Sequence, residues 1–115
     1  RQRQMCIRDR SVASVALRKE ATGVAHCWNA DVVATAKRDL KPGEILDGEG
    51  GYTVWGKLLP ANKSVAMGGL PLGLAHDIKL IRPVKKGQSL CWDDVAVDTS
   101  THAYKIRQEL ETKFK

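Results

Sequence analysis

The stretch that decides the fold is V-V-A-T-A-K-R-D-L-K-P-G-E-I-L-D, residues 32–47. It predicts an apolar strand at residues 32–36, a charged shoulder, a tight turn at Pro42 and Gly43, and a second short strand at residues 44–46. Proline fixes φ at the first corner of such a turn, and glycine supplies the positive φ that a type II turn requires at the next position. We therefore expect a strand–turn–strand unit here.

A similar pattern, D-I-K-L-I-R-P-V-K-K-G-Q-S-L, returns 44 residues later at residues 77–90. The alignment of the two copies brings matching residue types to the strands and the turns: Arg38 with Arg82, Leu40 with Val84, Lys41 with Lys85, Gly43 with Gly87, and Leu46 with Leu90. Because the matched glycine occupies the turn in both copies, we interpret the pattern as an internal repeat.

The segment between the copies is rich in glycine, with seven of the ten glycines between Gly48 and Gly73. This composition favours sharp turns and closely packed backbone over helix. Residues 52–55 have the side chains of a short strand, and Pro71 and Gly73 favour an extended course at residues 70–75. The sequence thus predicts a mainly β module over residues 31–97, with helix only near its two ends.

The two ends have a different character. Residues 11–18 place small and apolar side chains on one helical face, and we interpret residues 11–30 as the tail of a preceding domain with a linker. Residues 98–115 begin with capping side chains and then repeat apolar residues at helical spacing, which predicts an amphipathic C-terminal helix. The first ten residues, R-Q-R-Q-M-C-I-R-D-R, resemble a translated sequencing-adaptor read, and we set them apart as an artefact.

Composition bounds the class of protein. The chain has 115 residues, 43% of them hydrophobic and 28% charged, which is typical of one soluble globular domain. It contains no apolar run of roughly 20 residues, which a membrane span needs. It has no paired cysteines, so we expect a cytoplasmic location with reduced thiols. Residues 1–10 supply half of the formal net charge of +6, and the other basic residues lie among acids. We therefore expect no nucleic-acid or membrane partner.

No residue pattern predicts catalysis, cofactor binding or a metal site within this chain. The G-E-G-G run at residues 48–51 lies beside two carboxylates and precedes a predicted strand, so it indicates a structural turn and not a phosphate loop. The histidines at positions 26, 76 and 102 are not spaced as metal ligands. Cys91 has no adjacent base that would activate a thiolate. A dinucleotide-binding G-x-G-x-x-G is absent from the sequence.

Two groups of residues are candidates for contacts with other domains. The glycine-rich loop and the strand after it carry polar and aromatic side chains able to approach another domain: Asp47, Glu49, Tyr52, Trp55 and Lys57. The C-terminal helix carries an apolar stripe whose larger members are Ile106, Leu110 and Phe114, which we expect to form a packing surface. The alternative is that the loop faces water and the helix folds onto the sheet.

The two repeat copies resemble those of the SAF domain, a β-clip fold. The resemblance lies in A-K-R-D-L-K-P-G-E-I-L at residues 36–46 and I-R-P-V-K-K-G-Q-S-L-C-W-D-D-V at residues 81–95, and it covers residues 31–97. The family includes the antifreeze-like domain of sialic acid synthases and the flagellar P-ring chaperone. Between the copies, D-G-E-G-G-Y-T-V-W-G-K-L-L-P and G-G-L-P-L-G-L-A-H-D are similar to the C-terminal segment of bacterial NAD(P)H-dependent oxidoreductases of the homoserine-dehydrogenase-like and deoxyxylulose-phosphate reductoisomerase-like family.

That resemblance implies a non-catalytic C-terminal segment, with NAD(P)H bound by a missing upstream Rossmann domain. Its partners would be that Rossmann domain, a central domain of the same chain, and further subunits of a homo-oligomer. The resemblance transfers no catalytic, cofactor-binding or metal residue to this sequence. The alternative that it also allows is an autonomous SAF module that binds a carbohydrate or other ligand, or acts as a chaperone.

Overall fold

The computed structural model describes residues 2–24 and 26–113, with side chains from residue 6 onward. The elements follow one another as helix α1 (Gln2–Ala13) with a π-helical turn (Ser14–Arg18), strands β1 (Ala30–Ala36), β2 (Ile45–Asp47) and β3 (Val54–Pro60), helix α2 (Ala61–Met67), strands β4 (His76–Leu80) and β5 (Val95–Ala96), and helix α3 (His102–Lys113). Short 3-10 turns occur at Leu72–Leu74 and Trp92–Asp94.

The strands form two small antiparallel sheets. In the first, β1 pairs with β3 from Ala30 opposite Pro60 to Ala36 opposite Val54. In the second, β4 lies between β2 and β5. Every strand contributes to one core, whose largest fully buried side chains are the leucines at positions 40, 46, 70, 80 and 90. The described chain therefore builds a single hydrophobic core from short strands and the loops between them.

The internal repeat is confirmed as a structural repeat. Gly43 and Gly87 adopt the predicted positive φ, at 92° and 82°. The two copies exchange backbone hydrogen bonds in matched pairs. In the first pair, Leu40 N–H donates to Val84 C=O (2.7 Å) and Val84 N–H donates to Leu40 C=O (3.0 Å). In the second pair, Gly43 N–H donates to Leu80 C=O (2.7 Å) and Gly87 N–H donates to Ala36 C=O (2.9 Å). In the third pair, Leu80 N–H donates to Glu44 C=O (2.8 Å) and Ala36 N–H donates to Gln88 C=O (3.0 Å). A shift of 44 positions converts one bond of each pair into the other, so the copies are related by a pseudo-two-fold axis.

The prediction of a mainly β fold is confirmed only in part. The structure has two small antiparallel sheets and three helices, with 36% helix and 28% strand, which is a small mixed α/β fold. Helix was expected only near the ends of residues 31–97, yet α2 lies in the middle. It follows Pro60, whose ψ of 139° is non-helical, and it ends at Gly68 in the left-handed region. Seven residues between a proline and a glycine are too few to show a helical period, which is why the sequence did not reveal this helix.

Two local expectations also differ from the structure. The short strand expected at residues 52–55 begins at Val54 and runs on to Pro60. The extended course expected at residues 70–75 contains the 3-10 turn Leu72–Leu74. Helices at both ends are confirmed, although α1 begins well before residue 11.

Among the described residues, no helix combines the length and the apolar character required to cross a membrane.

Candidate interaction surface

The loop between β2 and β3 is built around the carboxylate of Asp47. This carboxylate accepts hydrogen bonds from the backbone N–H of Tyr52 (2.6 Å), the backbone N–H of Thr53 (3.1 Å) and the Thr53 hydroxyl. The Asp47 N–H in turn donates to the Thr53 hydroxyl oxygen at 3.1 Å. The hydrogen bond from the Thr53 hydroxyl, with those from the two N–H groups, lowers the pKa of Asp47 to about 2. The loop is thus tied across its base by an ionised side chain.

Glycine at position 51 permits this arrangement. A Cβ atom there would overlap the carboxylate of Asp47. The Gly51 carbonyl also accepts a hydrogen bond from Nζ of Lys37 at 2.5 Å, which fastens the loop to the end of β1. The turn that the sequence predicted at residues 48–51 is therefore held from two sides, by Asp47 and by Lys37.

The fixed loop presents an exposed aromatic side chain, and β3 presents a second. Tyr52 is 86% exposed and Trp55 is 43% exposed. Glu49 and Lys57 are also exposed, and Lys57 lies on the same face of β3 as Trp55 because the two are separated by one residue. Of the five predicted contact residues, the structure uses Asp47 to build the loop and leaves the other four accessible at its surface.

Helix α3 meets the rest of the chain through a largely polar face. Its less exposed residues recur at helical spacing and are Tyr104, Arg107, Gln108, Leu110 and Glu111. Of the predicted packing stripe, Ile106 is 52% exposed, Leu110 is half-buried, and Phe114 lies outside the described residues. The packing role of this stripe stays a prediction.

Arg107 is the centre of a buried ionic network that the sequence analysis missed. Its guanidinium donates to both carboxylate oxygens of Asp31, at 2.5 and 3.0 Å, and to Glu111 at 2.8 Å. It also lies 4.5 Å from the ring centroid of Trp28. Asp31 accepts a further bond from the Ser64 hydroxyl at 2.5 Å. One arginine therefore joins α3 to β1, and through Asp31 to α2.

The charges in this network stabilise one another. Burial alone would raise the pKa of Asp31, but the hydrogen bonds from Arg107 and Ser64 hold the pKa of this carboxyl below its usual value. Burial likewise opposes the charge on Arg107, yet Asp31 and Glu111 keep the pKa of the guanidinium above its usual value. Both groups are thus ionised near neutral pH, and neither is left without a partner in the interior.

A groove of about 290 Å³ lies where β4, the Trp92 turn and the start of α3 meet. Its wall is apolar at Leu74, Ile78 and Val97, and its rim includes the exposed residues His76 and Asp98. Trp92 and Tyr104 also line it, with their rings edge to face at a centroid distance of 5.5 Å. The Trp92 side chain also packs against the hydrophobic core, so the groove is built directly on it.

The residues with potential for metal or nucleophilic chemistry lie apart. His26 and His102 are exposed, and His76 Nδ1 lies 3.3 Å from the Asp47 carbonyl oxygen. Within residues 2–24 and 26–113 no three His, Cys, Asp or Glu side chains are grouped as metal ligands. Burial and the nearby carboxylates of Asp94 and Asp93 raise the pKa of the Cys91 thiol, which keeps it protonated at neutral pH.

Comparison with known proteins adds no assignment: no protein-family model and no curated protein matches the chain.

Proposed function

We propose that this chain is the non-catalytic C-terminal SAF, or β-clip, segment of a bacterial NAD(P)H-dependent oxidoreductase related to homoserine dehydrogenase and to the reductoisomerase-like enzymes. Its role is to pack against neighbouring domains or a second subunit. The observation that carries the packing role is the exposed pair of aromatic residues, Tyr52 and Trp55, beside a loop fixed by Asp47. Large aromatic side chains on a preorganised base are typical anchors of protein interfaces. The parent enzyme is proposed from the sequence resemblance alone.

On this proposal the chemistry belongs to other parts of the enzyme. NAD(P)H and the catalytic residues reside in the upstream Rossmann and central domains, in the cytoplasm, and the present chain contributes contact surface. The exposed apolar side chain of Ile106 on α3 supports a second contact, because it lies on the face of the helix that the Arg107 network leaves open.

The test uses the intact enzyme, recovered with its upstream sequence. Tyr52→Ala should change turnover, because it removes an interface anchor without touching the core. Ile106→Asp should weaken subunit assembly in light scattering, whereas Thr112→Asp, at another exposed position of α3, should not. Unchanged assembly and kinetics in both variants would contradict the packing role. Tight binding of NADPH to the 115-residue chain alone, measured by calorimetry, would contradict its non-catalytic assignment.

One observation favours a second candidate, an autonomous SAF module that binds a carbohydrate or similar ligand. The groove beside Trp92 and Tyr104 combines aromatic rings with the hydroxyl, imidazole and carboxylate groups that recognise polyhydroxy compounds. Titration with neutral monosaccharides separates the candidates. Saturable changes in the amide NMR signals of Tyr104 and Asp98 would favour the ligand-binding module, and their absence would favour the packing role.

A further inference from the structure

Strand β3 is an edge strand with a short unpaired stretch. Its neighbour β1 is bonded on both sides, because Ala34 donates to Leu70 at 2.8 Å and accepts from Leu90 at 2.8 Å on the side away from β3. Antiparallel ladders alternate, so Gly56, opposite Ala34, lies in a pair that is not hydrogen-bonded to β1. Its N–H and C=O therefore point outward, and those of Leu58, two residues on, point the same way.

The outward groups of this stretch have no partner in the described chain. None of the backbone hydrogen bonds that join separate elements in residues 2–24 and 26–113 involves Gly56 or Leu58. The stretch is bounded on one side by Val54, which is fully buried, and on the other by Pro60, which has no N–H and leads into α2. The open edge is thus three residues long, and we define it as Gly56, Lys57 and Leu58.

At the Leu58 end of the open edge the side chains are accessible on both faces of the sheet, whereas Leu72 packs over Gly56. On one face, Leu58 is 69% exposed and its cross-strand neighbour Val32 is 41% exposed. On the other face, Lys57 is exposed beside Trp55. An added strand would therefore meet an apolar face at Leu58 and a positive charge at Lys57.

The positive charge of Lys57 favours an added strand with an acidic residue opposite it. If a second copy paired through the same three residues, Lys57 would face Lys57 of the other copy, and like charges directly opposite each other are destabilising. A strand with an acidic residue at that position would instead form a cross-strand ion pair. Side chains approach most closely in pairs that are not hydrogen-bonded, and the pair at Lys57 would be of this type.

We propose that the open edge of β3 binds an extended, antiparallel segment of a different domain of the same enzyme, in which an apolar residue opposite Leu58 is followed by an acidic residue opposite Lys57. This strand addition rests on the proposed packing role and specifies the chemistry of the partner. The added strand takes its affinity from main-chain hydrogen bonds to Gly56 and Leu58 and its specificity from Lys57.

The experiment titrates the isotope-labelled chain with three capped hexapeptides and follows amide NMR signals. The first peptide is acetyl-Thr-Thr-Val-Glu-Thr-Thr-amide, the second has lysine in place of glutamate, and the third is the first with an N-methyl group on valine. The glutamate peptide should shift the amides of Gly56 and Leu58 and bind about threefold more tightly than the lysine peptide. Methylation should abolish these shifts, because it removes the donor that would bond to Leu58 C=O.

Charge reversal completes the test. Lys57→Glu should invert the preference, so that the lysine peptide binds more tightly, while Lys63→Glu, at an exposed position of α2, should leave it unchanged. Equal binding of both peptides, shifts that survive N-methylation, or no shift at Gly56 and Leu58 would each overturn strand addition. None of these outcomes bears on Tyr52 or Ile106 in the intact enzyme, so the packing role stands or falls separately.

Discussion

Replacement of Arg107 by alanine should destabilise the chain more than any change at an exposed position. The variant removes three hydrogen bonds, two to Asp31 and one to Glu111, together with the contact to Trp28. It also leaves the carboxylate of Asp31 without its countercharge, although the side chains of Arg107 and Asp31 are only 10% and 8% exposed.

The expected loss is about 3 kcal/mol, at the lower end of what breaking a buried ion pair costs, because the network lies at the margin of a small domain. For a domain of this size that corresponds to a fall in melting temperature of about 10–20 °C. Lys105→Ala, on the exposed side of the same helix, is the matched control and should change stability by less than about 0.5 kcal/mol.

The pH dependence identifies the cause. In the native chain the pKa of Asp31 lies below 3.8, so its contribution is fully present above that pH and is lost as the pH falls through the lowered value. In Arg107→Ala, Asp31 is buried without its countercharge, which raises the pKa of its carboxyl. The loss of unfolding free energy in this variant is therefore largest near neutral pH. The difference in unfolding free energy between native chain and variant, from urea titrations of tryptophan fluorescence, should therefore shrink between pH 7 and pH 3.

A second variant separates charge from packing. Asp31→Asn combined with Arg107→Leu removes both charges and keeps an acceptor for the Ser64 hydroxyl, so it should be more stable than Arg107→Ala alone. If Arg107→Ala matched Lys105→Ala, or if its penalty were the same at pH 3 and pH 7, the assignment of the network as the attachment of α3 would be refuted.

Further predictions concern the loop and the edge strand. Gly51→Ala should cost about 2 kcal/mol or more in thermal unfolding, because its Cβ displaces the Asp47 carboxylate; Gly73→Ala, with open space around it, is the control and should be near neutral. Asp47→Asn should be less stable than the native chain at pH 7, and the gap should narrow as the pH falls from about 4 through about 2, where native Asp47 loses its charge. Gly56→Ala should destabilise β3, since its Cβ would lie 2.5 Å from Val32 Cγ1; an unchanged melting temperature would contradict the packing described there.

The sequence was informative where local chemistry determines the structure. Pro42 and Gly43 predicted the turn, and the matched Gly87 predicted the repeat, because turn geometry depends on φ values that few residues provide. Helix α3 was also predictable, because the spacing of its apolar residues is visible in a short stretch of sequence. Its attachment was not, because Asp31 and Arg107 lie 76 residues apart.

The apolar stripe of α3 was the more visible pattern, yet the ion pair that attaches the helix to the domain is made by Arg107. Arg107 and Glu111 show the spacing of an ion pair on one helical turn, and this was the available signal for the role of Arg107. Such pairs are common on solvent-exposed helices, so the spacing alone does not distinguish a buried network from a surface one. The burial that makes the difference depends on Trp28, Ser64 and β1, which only the fold brings together.

The reciprocal hydrogen bonds between the repeat copies make this chain a tethered pair of half-domains. The turn of each half is completed by the strand of the other, as in the bonds of Gly43 to Leu80 and Gly87 to Ala36. Neither half can therefore satisfy its own backbone alone, and the segment between them acts as a tether that sets the effective concentration at which they meet. A cut at the exposed Gly50 would remove no core side chain, but it would convert folding of one chain into an association that depends on protein concentration.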